Sequence, residues 1–261
     1  MPHPAENACV NIILRALRRT AGFITACIVG VLLRLRYRAK TIGLDTVPRG
    51  IGHLVLANHP AEIDPLLLVV VTWTRFELRS VLLNEFYRLA YANWLFRISR
   101  CMPIPDLEVE RSIDNVRMLR QCLADIAEGV RAGDHVLFYP SGRLYRSGCE
   151  AIGNASGLHL LLKRAPDLPV LLVRTRGFWG SSFSCANGDK PDLGKTLVRG
   201  IKTLLKNGIL FSPRRKVTIE FQVAPADFPR HAARHELNAW LDAWFNEPGE
   251  EPLYRVPYGW W

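Results

Sequence analysis

The chain has 261 residues, 49% of them hydrophobic and 22% charged, which suits a packed domain and excludes wholesale disorder. Its formal net charge is +10, so it suits an acidic partner: nucleic acid, an anionic bilayer, or a phosphate-bearing substrate. The six cysteines, at 9, 27, 101, 122, 149 and 185, show no CxxC and no metal-ligand spacing, and read as buried thiols in a reducing compartment.

Residues 21–33 (AGFITACIVGVLL) are uncharged and mostly apolar. Thirteen helical residues reach only ~20 Å, short of the ~30 Å hydrocarbon core. Arg18 and Arg19 precede them and Arg34, Arg36 and Arg38 follow, with no cleavage-like site between. The expectation is a basic, apolar interfacial helix over 1–35, lying in or dipping into one leaflet. A core helix of a soluble domain is the alternative. Residues 36–246 read as one domain and 247–261, rich in proline and aromatics, as a tail or docking segment.

Within the domain, strand patterns fall at 37–42, 53–56, 135–139, 169–173 and 217–223. Helical patterns fall at 65–73, 84–98, 111–130, 158–162 and 234–245, with Gly133 ending the third. This alternation predicts an α/β domain on a mixed, mainly parallel sheet flanked by helices.

The most informative segment is LVLANHPAEIDPLLL, residues 54–68. A strand ends at Ala57, and Asn58 and His59 occupy the turn before a helix that Asp64-Pro65 would start, with Asp64 as N-cap and Pro65 as N1. Asp64 therefore has two readings. It either caps the helix, or bonds one ring nitrogen of His59 and makes the other a general base for an alcohol. A second turn at a strand end, residues 140–148 (PSGRLYRSG), carries Ser141, Gly142, Arg143 and Arg146. Guanidinium groups around a glycine turn suit phosphate oxygens; a solvated basic loop is the bland reading.

Asn58-His59-x4-Asp64 matches the NHx4D motif of the phospholipid/glycerol acyltransferase family, which includes 1-acylglycerol-3-phosphate acyltransferases. Residues 138–148 resemble that family's FPEGxR motif, and residues 168–173 its following apolar strand with proline. Residues 173–184 and 253–258 look most like acyltransferase domains fused to acyl-activating ligases, which are related to 2-acylglycerophosphoethanolamine acyltransferases. The resemblance implies a single glycerolipid-acyltransferase-like domain with His59 as general base and Asp64 as its orienting partner. It implies direct acyl transfer from acyl-CoA or acyl carrier protein to a lysophospholipid hydroxyl, with no metal and no bound cofactor. An acyl-activating ligase is a further partner, nucleic acid is not, and the place is the cytoplasmic face of a membrane, peripheral or monotopic. Asn58, Ser141, Gly142, Arg143 and Arg146 are then substrate contacts. The sequence departs from the pattern at Ser141, where the family usually has glutamate, and residues 99–111 offer Arg100 or Arg111 without a clean match to its second motif. A catalytically impaired lipid-binding module is therefore the second reading.

Arg174 and Arg176, at a strand end, are further candidates to face a substrate phosphate. Ser181, Ser182 and Ser184 invite a lipid-hydrolase reading, but no GxSxG elbow is present. His231 and His235 have i, i+4 spacing without the glutamate of HExxH, so a solvated helix face is expected rather than zinc. Arg214, Arg215 and Lys216 form a basic run without any nucleic-acid motif, which favours a membrane-facing surface.

Overall fold

Seven strands form one sheet in the order β1-β7-β6-β2-β5-β3-β4 in the computed structural model, which describes residues 4–84, 93–105 and 112–257. They are Tyr37–Ile42 (β1), His53–Ala57 (β2), Leu78–Leu83 (β3), Met102–Ile104 (β4), His135–Phe138 (β5), Val170–Arg176 (β6) and Arg215–Val223 (β7). Every pairing is parallel except β6 with β7, so the sheet is mixed and mainly parallel, as expected. The helices are Pro4–Arg34 (α1), Asp64–Thr72 (α2), Asn93–Ile98 (α3), Ile113–Arg131 (α4), Gly157–Arg164 (α5), Leu193–Lys206 (α6) and Arg234–Asn246 (α7).

The central strands are buried on both faces, which is why HLVLA and HVLF read as continuous apolar runs rather than alternating ones. Side chains still alternate between two cores. Leu54, Leu56, Val136, Phe138, Val170 and Leu172 pack with α4, α5 and α7 on one face. Val55, Ala57, Leu137, Leu171 and Val173 pack with α2 and the end of α1 on the other. Each fully buried Leu or Val contributes roughly 1.5–3 kcal/mol. Parallel register places Leu56 opposite Phe138 and Ala57 opposite Val173, so β2 and β5 end together at one edge of the sheet while β6 runs on to Arg176. In open α/β sheets the carboxyl ends of strands are where ligands bind.

The structure departs from the sequence reading in several places. α6, β3 and β4 had no counterpart in it, and residues 85–92 of the helix expected over 84–98 lie outside the described residues, as does Arg111. α4 begins at Ile113 because the Ser112 hydroxyl caps it, accepting from Asn115 N–H at 3.1 Å. Cys122 and Cys185 are buried as expected, whereas Cys27 is exposed.

The largest difference is at the N-terminus. α1 runs for 31 residues, and over Ala16–Arg34 it is long and apolar enough to cross a bilayer by length and composition. The helix extends past Arg18 and Arg19, which both pair with Glu77. α1 lies close against α2: a β-carbon at Gly22 would meet the Trp73 ring at 2.7 Å, and one at Gly30 would meet Val70 at 3.0 Å. Leu17, Phe23, Ile24, Ile28, Val31 and Leu32 remain exposed. Among the described residues after α7, Glu251 and Tyr254 dock the chain back on the domain. Glu251 accepts from Gly177 and Trp179 N–H, and Arg215 donates to Tyr254 O.

Candidate active site

Asp64 is wholly buried at the first turn of α2, and its carboxylate does not cap that helix. It faces back across the loop: Oδ2 lies 2.9 Å from His59 Nδ1 and 3.3 Å from the Ala61 main-chain nitrogen. Oδ1 accepts from the Tyr139 hydroxyl. A carboxylate facing Nδ1 sets the tautomer with the proton there, so the basic lone pair is on Nε2. The His59 ring stacks on Tyr139 with centroids 4.0 Å apart and keeps 15% of its side chain exposed. Burial alone would lower its pKa. The charge and hydrogen bond of Asp64 outweigh that, with help from Glu62 and Glu150, and the net shift is upward from 6.5.

Tyr139 follows β5 directly and belongs to the turn that carries Ser141 to Arg146. Burial and the facing Asp64 charge push its hydroxyl well above its ordinary pKa, so it remains a donor. The turn is joined to the first loop again where Tyr145 N–H donates to His59 O at 3.0 Å. Glu150 then closes the back of the loop. Its Oε2 accepts the His59 main-chain N–H at 2.8 Å, and its own main chain is bracketed by Asn246 of α7 at 2.9 Å on both sides. With 4% exposure, burial raises this carboxyl to about 7 against the opposing pull of its hydrogen bonds. The Ser141 hydroxyl lies against Glu150 and donates to Arg143 O at 3.0 Å. Among the described residues, no serine hydroxyl bonds His59, so the arrangement offers no serine–histidine dyad.

Arg143 and Arg146 are exposed at this edge. Arg143 reaches Ala151 O at 3.4 Å, and Arg146 lies near enough to Cys185 for its charge to oppose the upward shift that burial gives that thiol. Gly142 turns the chain with φ 65 and has open space where a side chain would be, so its requirement is conformational rather than steric. A part-exposed histidine on a buried carboxylate, with an exposed cationic turn beside it, can take a proton from a hydroxyl and hold an anionic group nearby.

A family model described as Acyltransferase matches residues 38–173, more than half of the chain, and spans both loops. The chain belongs to the acyltransferase family. The crystal structure of the 1-acyl-sn-glycerophosphate (LPA) acyltransferase PlsC from Thermotoga maritima is similar in fold, with a TM-score of 0.53 at 16% identity. The match covers 95% of this chain and 83% of that one. No curated protein matches by sequence.

Three residues expected at the substrate, Asn58, Arg174 and Arg176, are bonded elsewhere in the fold. Asn58 is completely buried: its side-chain oxygen accepts from Thr175 N–H at 2.7 Å, and its nitrogen donates to Thr175 O at 2.8 Å and to the Tyr145 hydroxyl. It fastens the end of β2 to β6 and touches no open space. Arg174 is turned by strand alternation to the α7 face, away from α2. There it binds Glu220, Glu247 and Trp244 O and lies over the Trp244 ring, 4.7 Å from its centroid. Arg176 donates to Gly249 O at 2.6 Å and so helps hold the docked C-terminal segment. Asn58→Ala strips partners from two buried Thr175 main-chain groups, and we expect a stability loss of about 3 kcal/mol. Urea unfolding checks this; unchanged stability with a raised KM would restore Asn58 to the substrate.

Tyr139, Tyr145 and Glu150 were not singled out from sequence. The first ends a strand as an ordinary aromatic would, and the others follow a glycine turn with no periodic signal. Only the parallel register of β2 and β5 explains why a tyrosine 75 positions after Asp64 meets it.

Proposed function

We propose that this acyltransferase moves a fatty acyl group from acyl-CoA or acyl carrier protein to the hydroxyl of a lysophospholipid, in phospholipid biosynthesis or remodelling. The observation that carries this reading is the buried Asp64 carboxylate on His59 Nδ1, beside a turn presenting Arg143 and Arg146. His59 Nε2 takes the proton of the acceptor hydroxyl as its oxygen attacks the thioester carbonyl. Collapse of the tetrahedral intermediate breaks the C–S bond, and the proton passes from His59 to the departing thiolate. Asp64 and Tyr139 steady the imidazolium that forms between the two transfers. Glu150 and Tyr145 fix the main chain of His59 on either side. Gly142 gives Ser141 and the two arginines their turn, which receives the acceptor phosphate. The similar fold of PlsC, an LPA acyltransferase, supports a glycerolipid acceptor, and the long apolar α1 supports work at a membrane. We assign this work to the cytoplasmic face, with a ligase as the source of activated acyl groups where the donor is made locally.

The test is a screen of lysophospholipids with radiolabelled acyl-CoA and acyl carrier protein. Label should appear in a diacyl product on at least one acceptor. Release of free fatty acid to water with no diacyl product would mean a hydrolase. Binding to lysolipid with no turnover on any acceptor would mean a lipid-binding module, the reading that Ser141 in place of glutamate favours.

A further inference from the structure

Helix α6 sits on the molecule the wrong way round for a soluble protein. A surface helix ordinarily buries its apolar stripe and shows its polar face to water. Here Thr196 and the following Asn207 are the buried positions, and the line Thr196, Gly200, Thr203, Asn207 follows helical spacing toward the protein. The apolar arc is outward: Leu197, Val198, Ile201 and Leu205 are 38%, 52%, 58% and 62% exposed. The chain continues directly into Leu210 and Phe211, 68% and 76% exposed. Lys195, Arg199, Lys202 and Lys206 are exposed along the remaining flank of the same helix. Contiguous exposed apolar surface rimmed by cations is what an anionic bilayer accepts, the side chains entering the acyl boundary and the cations meeting headgroups.

Position supports the same occupant. Leu193 at the start of α6 packs on the core that also holds Leu33 of α1, so both helices lie on one face of the sheet. A cleft of about 430 Å³ has Arg34, Arg38 and Arg214 in its walls, joining the end of α1 to the segment that follows α6. Lys190, just before α6, pairs with Glu62 at 3.8 Å, and Glu62 lies in the loop between His59 and Asp64. The cationic cleft thus lies between the end of α1 and the segment that leads from α6 to β7, and α6 starts beside the catalytic loop.

We propose that α6 and the Leu210-Phe211 turn form a second membrane-docking surface, inserted into an anionic leaflet independently of α1. The proposal rests on the lipid-acceptor reading only for its purpose, since docking is measured without turnover. Full-length protein is partitioned onto phosphatidylcholine vesicles with and without phosphatidylglycerol. The triple variant Leu197→Ser, Ile201→Ser, Leu205→Ser should lose about tenfold or more in partition on both vesicles. The triple variant Lys195→Glu, Lys202→Glu, Lys206→Glu should lose roughly as much on anionic vesicles only, with a flatter salt dependence. Ile201→Trp, which keeps the face apolar and is free of any folding risk from added polarity, should bind several-fold tighter. Circular dichroism confirms that each variant is folded. Partition unchanged in all three variants overturns the proposal. So does unchanged partition with a lower sedimentation mass in the serine variant, which would make this face an interface between copies.

Discussion

His59→Ala should lower kcat for acyl transfer by about 10²–10⁴-fold, the range ordinarily lost with a positioned general base. The His59 side chain is one of the least structural parts of the loop. Its main-chain N–H and C=O carry the bonds to Glu150 and Tyr145, and alanine retains both. Stability should therefore change little beyond the loss of the stack on Tyr139 and the bond to Asp64. Asp64→Asn should also reduce kcat, because the amide can present its N–H to Nδ1 and so select the wrong tautomer. The pH dependence separates the two roles. Only neutral His59 accepts a proton, so kcat/KM rises as pH climbs through its pKa, which lies above 6.5. Burial opposes that raised value and Asp64 is the main group sustaining it, so Asp64→Asn should move the rising limb to lower pH. Tyr139→Phe leaves the carboxylate charge in place and removes one of its donors, so the limb should move little while kcat falls. Rate profiles for the three variants provide the check. A limb that stays fixed in Asp64→Asn would mean that His59 is not the titrating base.

How much of this was legible beforehand depends on the range of the interaction. The His59–Asp64 pair lies within one strand-turn-helix unit, so its residues could be read from spacing, although spacing left cap and charge partner equally open. The structure separates them because the carboxylate turns toward the ring and leaves the α2 start uncapped. Asn58 and Arg174 make contacts that their spacing did not announce, for a different reason. Both stand at strand ends, but the face each shows depends on register and alternation across β2 and β6, which one sequence does not reveal. β3 escaped notice because arginine and serine interrupt LRSVLL, and β4 because MPI is three residues long with a proline at its centre. α6 was hidden by its inverted pattern: its leucines, Val198 and Ile201 do keep helical period, yet its small polar face does the packing. Glu150 illustrates the limit most clearly, since nothing local marks a lone carboxylate that will be buried beneath a histidine from another strand.

That carboxylate should reveal itself in stability as a function of pH. Glu150 is 4% exposed, and its pKa stands at about 7 against an ordinary 4.5. An acid raised in the folded state stabilises it fully below the unfolded value and loses that contribution as pH rises through the folded one. The window is therefore pH 4.5 to 7, and a difference of 2.5 between these two values corresponds to roughly 3 kcal/mol. Glu150→Gln does not titrate and can still accept the His59 N–H through its side-chain carbonyl. Relative to wild type, the variant should thus gain about 3 kcal/mol in stability between pH 4.5 and pH 8. Glu150→Ala leaves the His59 N–H without its partner and should be less stable than Glu150→Gln at every pH. Removing the Glu150 charge also removes the smallest of the contributions that raise His59, so the rising limb of kcat/KM should shift down less than in Asp64→Asn. Urea unfolding at both ends of the window measures the first effect. A stability difference between wild type and Glu150→Gln that does not vary with pH would show that Glu150 stays ionised in the fold. The direction also bears on function. Ser141 stands where the family usually has a carboxylate, and a Glu150 that gains charge across this window supplies one to the same turn as His59 becomes neutral.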